Sequence, residues 1–242
     1  MIRGMANKWY TTLASMSTGT TGILRGVATP FPDTFAVGNG GTIIGNAGTS
    51  QAWSVYQSHT TKDLYCVNGY DQNNVFVVGD EGTILNGGFS GFGTLNSGTT
   101  SDLRGVWSSV GATFAVGAGG TILSLSGSSW SAMSSGTSNS LFGISGSSSS
   151  DVFAVGDQGT ILHYDGKTWR AMDSGTLVTL RGVCVVSSSD VFAVGDGGTI
   201  MHYNGKTWST MKSPTTKTLR GVWGDSADGV TAVGDGGTIL HY

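Results

Sequence analysis

Six sequential copies of one repeat, four short apolar segments in each copy, and glycine-rich turns between the segments predict an all-β chain: a six-bladed β-propeller with four antiparallel strands per blade. The anchor Leu-Arg-Gly-Val begins at Leu24, Leu103, Leu180 and Leu219, and its variants begin at Leu64 and Leu141, so the copies follow one another at steps of 40, 39, 38, 39 and 39 residues. Each anchor reads as an inner strand. Its glycines Gly26, Gly105, Gly143, Gly182 and Gly221 sit where strands would crowd an axis. A second strand of the type Phe192-Ala193-Val194 is apolar on both faces, which suits a sheet covered by neighbours on both sides. It ends on Gly38, Gly79, Gly117, Gly156, Gly195 or Gly234, and a Gly-Thr-Ile segment opens the third strand. The fourth carries a bulky aromatic, Trp53, Phe92, Trp130, Trp169 or Trp208, where blades splay apart. Small residues inside and large ones outside make a wedge. A right-handed β-helix is the alternative, but its shorter coils give no reason for this gradient.

The sixth copy stops at Tyr242 after its third strand, and the stretch from Asn7 through Met16 resembles the outer strand from Asn204 to Met211. Residues 7–16 are therefore expected to complete the sixth blade, making residues 1–242 a single domain. Counting back from Leu24 places Leu13, rather than Trp9, at the Trp position, so this strand is either bulged or begins four residues early.

Composition narrows the function. With 12 Lys+Arg against 15 Asp+Glu, the formal charge is -3, and no basic footprint for nucleic acid exists. The N-terminal stretch from Met1 to Trp9 lacks the apolar core of a signal peptide, and no segment is long and apolar enough to span a bilayer. A soluble monomer without membrane insertion is expected, whose parent protein could still be exported. Cys66 and Cys184 fall in blades on opposite sides of the ring, which argues against a bridge between them.

The stretches Val191-Phe192-Ala193-Val194-Gly195-Asp196-Gly197-Gly198-Thr199-Ile200 and His202-Tyr203-Asn204-Gly205-Lys206-Thr207-Trp208 resemble the bacterial propeller repeats grouped as BNR/Asp-box-like, near the photosystem II stability/assembly factor family. The resemblance covers all six copies. It implies the fold, while the superfamily includes sialidases, lectin-like modules and assembly factors. The family pattern sets one residue between Asp and Gly; Asp165-Gly166-Lys167-Thr168-Trp169 has none, so the resemblance does not carry over glycosidase activity.

No catalytic constellation is legible. A sialidase-type enzyme needs an arginine cluster, a tyrosine nucleophile and separate acids, yet Arg25, Arg104, Arg181 and Arg220 all hold one repeat position, and Glu81 is the only glutamate. His163, His202 and His241 recur at one position of three successive blades. Ligands of one zinc must converge to about 2 Å, so no metal and no cofactor are expected. His59 lies in a Ser/Thr-rich connector and carries no signal.

The anchor position carries Arg25, Tyr65, Arg104, Phe142, Arg181 and Arg220, and the turn after Val-Gly carries Asn39, Asp80, Ala118, Asp157, Asp196 and Asp235. Shifted by one blade the two series match: Arg104 with Asp80, Arg181 with Asp157, Arg220 with Asp196 and Arg25 with Asp235, while Tyr65 faces Asn39 and Phe142 faces Ala118. A ring of inter-blade ion pairs around one channel mouth is the expectation. Tyr65, Phe142, Asn39 and Ala118, with Arg104 between the two gaps, make one arc less charged and more aromatic, which is the candidate binding site. Neutral loss of an ion pair together with its partner is the competing reading. The chain is thus expected to be a non-catalytic scaffold for a protein or peptide. A multivalent glycan-binding module is the alternative, and a sialidase-like glycosidase ranks third.

Overall fold

The computed structural model describes residues 19–30, 33–47, 52–226 and 229–242. Five four-stranded antiparallel sheets and one three-stranded sheet follow one another along the chain, each strand hydrogen-bonded to the next in sequence. This is the six-bladed propeller. The fifth blade shows the pattern: an inner strand Leu180–Ser187, a second strand Asp190–Gly195, a third Ile200–Tyr203 and an outer strand Trp208–Thr210. The sixth has Leu219–Gly224, Val230–Gly234 and Thr238–His241. The expected closing strand, residues 7–16, lies outside the described residues.

The second strands form the core because both of their faces are covered. In Val191-Phe192-Ala193-Val194 every residue is buried: Phe192 and Val194 face the sixth blade and Val191 and Ala193 face the fourth. Blade-to-blade packing repeats one aromatic joint, in which the second-strand Phe meets the outer-strand ring of the following blade edge-on. Centroids are 5.7 Å apart for Phe35 and Phe92, 6.1 Å for Phe76 and Trp130, 5.6 Å for Phe114 and Trp169, and 6.1 Å for Phe153 and Trp208. Edge-to-face geometry sets the positive rim of one ring on the negative face of the other, worth about 0.5–1.5 kcal/mol per pair beyond burial.

The joint between blades six and one is more open. Leu24 is 38% exposed and Ile239 65% exposed, whereas their counterparts Leu64 and Ile84 are fully buried.

Between the second and third strands each blade makes a short 3-10 turn, for example Asp80–Gly82, whose middle residue is left-handed. Its last glycine is obligatory: a Cβ on Gly82, at φ +70°, would lie 2.0 Å from the Thr99 carbonyl oxygen. The turn is thereby pressed against the connector that leads to the next blade. Among the described residues no helix is long and apolar enough to cross a membrane.

Candidate functional site

A β-bulge aims one residue of every inner strand at the channel mouth. In blade five Leu180 pairs with Gly195 and Gly182 with Val194, so Arg181 is an extra residue in the ladder. The same slip places Arg25, Tyr65, Arg104, Phe142 and Arg220 at bulges in the other blades. A bulged residue is released from alternation and can be re-aimed. All six side chains line a single cavity of about 550 Å³ around the axis.

The bulge also decides the ion pairs, and it corrects the expected ones. Arg181 donates from Nε and Nη2 to both carboxylate oxygens of Asp196, the latter bond at 2.9 Å, and Arg220 does the same to Asp235 at 2.5 and 3.1 Å. Both pairs lie within one blade. The expected direct contacts Arg181–Asp157, Arg220–Asp196, Arg104–Asp80 and Arg25–Asp235 are not the ones formed among the described residues. In blades one, two, five and six the bulged side chain reaches the turn that follows its own second strand. Arg25 accordingly donates to its own turn's Asn39 at 2.5 Å, and the Tyr65 hydroxyl donates to its own turn's Asp80 at 2.6 Å. Neighbouring blades still feel one another through the field. The Arg181 hydrogen bonds hold the Asp196 carboxyl below the usual carboxylate range, burial opposes this, and the Arg220 charge adds to the lowering.

Inter-blade bonds at this mouth use residues outside the anchor and turn series. Gly40 in the first turn donates its N–H to Asp63 at 2.9 Å, and Glu81 in the second donates to Asp102 at 3.1 Å. At the next two joints the hydroxyls of Ser140 and Thr179 take this place, bonding Gly119 N–H and the Asp157 carboxylate. Asp63, Asp102, Ser140 and Thr179 all sit immediately before or one residue before the inner strand, and this run of short polar residues ahead of the anchor was a visible signal.

The arc differs from the rest of the mouth. Arg104 has no acid on its own turn, where Ala118 stands; it bonds Asp102 at 2.8 Å and lies over the Tyr65 ring at 4.3 Å. Arg25 flanks the same ring at 5.3 Å and reaches Asp63 only at 3.4 Å. Tyr65 therefore stands between two guanidinium groups, neither held by a bidentate carboxylate. Burial, followed by the bond to Asp80, pushes the Tyr65 hydroxyl above its ordinary pKa, while the Arg104 charge pulls the other way. Arg181 also approaches Phe142, at 5.6 Å, so the second aromatic of the arc faces the fully paired side. Asn39 joins this cluster through Arg25. Ala118 contributes only the absence of a carboxylate.

No protein-family model matches the sequence, and no curated protein matches it. Solved structures do. YCF48 bound to D1 peptide superposes with a TM-score of 0.72 at 16% identity, covering 90% of this chain and 76% of that one. YCF48 from Cyanidioschyzon merolae gives 0.55 at 13% identity, over 92% of this chain and 96% of that one. The WD40 propeller domain of Doa1 gives 0.72 at 11% identity, over 92% and 83%. The likeness is one of fold.

Proposed function

We propose that this chain is a non-catalytic scaffold that binds an acidic segment of a protein or peptide at the channel mouth, on the arc formed by Arg25, Tyr65, Arg104 and Phe142. The observation that carries this reading is the pair of guanidinium groups flanking Tyr65 inside a cavity of about 550 Å³. Arg181 and Arg220 each have their charge matched by both oxygens of one carboxylate. Arg25 and Arg104 each have one carboxylate contact, and the acids they touch also accept backbone N–H groups from the preceding blade. An incoming carboxylate can replace those contacts with charge-assisted bonds while an adjacent side chain packs on the Tyr65 or Phe142 ring. YCF48, which shares the fold, is a peptide binder in one solved structure, and this supports the same class of partner.

The test is a peptide array of acidic and neutral sequences run beside a glycan array, with the double variants Tyr65→Ala/Phe142→Ala and Arg181→Ala/Arg220→Ala. The first variant should lose about tenfold or more in affinity for acidic peptides, equivalent to about 1.4 kcal/mol, and the second should keep it. Equal loss from both variants, loss from neither, or several equivalents of bound sugar per chain would overturn the reading.

A further inference from the structure

Besides the outer-strand aromatic, the blade joints carry a second ring against the second-strand Phe. Phe89 lies 4.9 Å from Phe35, Tyr164 4.9 Å from Phe114, Tyr203 5.8 Å from Phe153 and Tyr242 6.0 Å from Phe192. The three tyrosines hold one repeat position, following Ile161, Ile200 and Ile239 at the same spacing. Blade two has Gly87 there, and Phe89 in the turn that follows supplies the ring instead. Blade three has Leu125. Among the described residues Trp130 is the only ring that meets Phe76, so the joint between blades two and three lacks its second ring.

That joint is hollow. Tyr70, Asn74, Phe76, Asn86, Leu95 and Leu125 border a cavity of about 350 Å³, within the size range of small-ligand pockets. Its polar groups are neutral. Asn86 pairs with Phe76 across the ladder, and the same register in blades four and five carries His163 and His202, each stacked on its Phe and bonded to Asp151 or Asp190. In blade two Asn74 and Asn86 replace that Asp–His pair. The Asn86 Nδ2 donates to the Val75 carbonyl at 3.2 Å, which leaves the Asn86 oxygen as an acceptor, and the Asn74 Nδ2 donates to both Asp71 carboxylate oxygens at 3.0 and 2.9 Å. Among the described residues no charged side chain lines the cavity. It also lies away from the arginines. The loop from Gly69 to Asn74 joins the first two strands of blade two at the end opposite the turn Asp80–Gly82.

We propose that this socket binds the side chain of a tyrosine presented by a partner protein. The chain itself shows what such a socket takes, because Tyr164 and Tyr203 fill the equivalent space at the next two joints, against Phe114 and Phe153. The incoming ring packs on Phe76 and Leu125 in the edge-on or tilted geometry of those pairs. Its hydroxyl donates to the Asn86 oxygen. A charged ring is excluded, since a phosphate brought against Phe76, Leu95 and Leu125 would lose its hydration with no cation to receive it. The socket is on the opposite face from the channel mouth, so occupancy of one does not require the other.

Titration of the full 242-residue chain with N-acetyltyrosinamide, followed by amide NMR, tests the proposal. One saturable equivalent is expected, with shifts centred on Tyr70, Asn86 and Leu125. N-acetylphenylalaninamide, which keeps the ring but has no hydroxyl, should bind about fivefold more weakly, and N-acetylphosphotyrosinamide should not bind. Leu125→Tyr supplies the missing ring from within, as Tyr164 and Tyr203 do, and should abolish binding without lowering Tm. Asn86→Leu gives an answer even where Leu125→Tyr misfolds: it should cost the tyrosine probe about fivefold and bring it level with the phenylalanine probe. Absence of saturable binding, shifts spread over several joints, or equal binding of the phenylalanine or phosphotyrosine probe by the unmodified chain would overturn the inference. So would binding retained in a folded Leu125→Tyr chain, or an Asn86→Leu chain that still prefers tyrosine.

Discussion

If the bulge directs each arginine to its own turn, the coupling energy should be found within a blade and not between blades. Arg181 and Asp196 form the clearest pair, with both donors of one guanidinium edge on both carboxylate oxygens, and their side chains are 31% and 36% exposed. Fork geometry raises the value of the pair and partial exposure lowers it, which leaves about 0.5–1 kcal/mol of coupling. A double-mutant cycle with Arg181→Met and Asp196→Asn, read by urea unfolding at neutral pH and low salt, measures that number directly. For a chain of this size it corresponds to about 1–4 °C in Tm. The matching cycle for Arg181 and Asp157 should give below about 0.3 kcal/mol. The pH dependence has a definite sign. Asp196 has a folded pKa below its unfolded one, so its contribution is complete above the unfolded value of about 3.9 and is lost as pH falls through the lower folded value. Coupling that survives unchanged at about pH 2, or an Arg181–Asp157 coupling as large as the Arg181–Asp196 one, would refute the assignment.

Three further outcomes can be checked by stability or labelling. Gly82→Ala should cost about 3 kcal/mol or more, because the new Cβ must displace the Thr99 carbonyl as well as accept a left-handed backbone; Gly98→Ala, with open space around its Cβ position, should cost about 1 kcal/mol in thermal melts. Similar losses at the two sites would contradict the close approach. Phe153→Ala removes the ring that meets His163, Tyr203 and Trp208 and should destabilise by about 3–5 kcal/mol, so a loss under about 1 kcal/mol in chemical denaturation would exclude its place at the joint. Burial pushes the Cys66 and Cys184 thiols up, and of the two only Cys184 is fully buried, so Cys184 should react with a disulfide reagent only as the protein unfolds; fast labelling of Cys184 in the native chain would count against its placement.

Strand positions were legible in the sequence because the repeat samples each environment several times. Val37, Val78, Val116, Val155 and Val194 are written at one position and are all buried. The ring of residues at the channel mouth was legible for the same reason. Their partners were not. A repeat read from sequence implies a regular inner-strand ladder, whereas one extra residue between Leu180 and Gly182 turns Arg181 toward Asp196 rather than toward the preceding blade. With four aspartates spread over six turns, an offset match arises easily, and Asn39 and Ala118 then conceal the within-blade rule at Arg25 and Arg104. The Tyr65 cluster was half visible. Its ring and Arg104 are named from the repeat, but the offset match pairs the second cation, Arg25, with Asp235 across the joint between blades six and one.

A residue that sits in a bulge has no directly paired partner opposite it, so its identity is nearly independent of the sheet that carries it. The chain already displays three chemistries at this position, guanidinium, phenol and phenyl, on inner strands that otherwise pair alike. The mouth therefore behaves as a dial with six separate settings, one per blade. Swapping a setting changes what the channel presents to solvent without asking the blade to repack, so variants at residues 25, 65, 104, 142, 181 and 220 make a compact library for retargeting the scaffold.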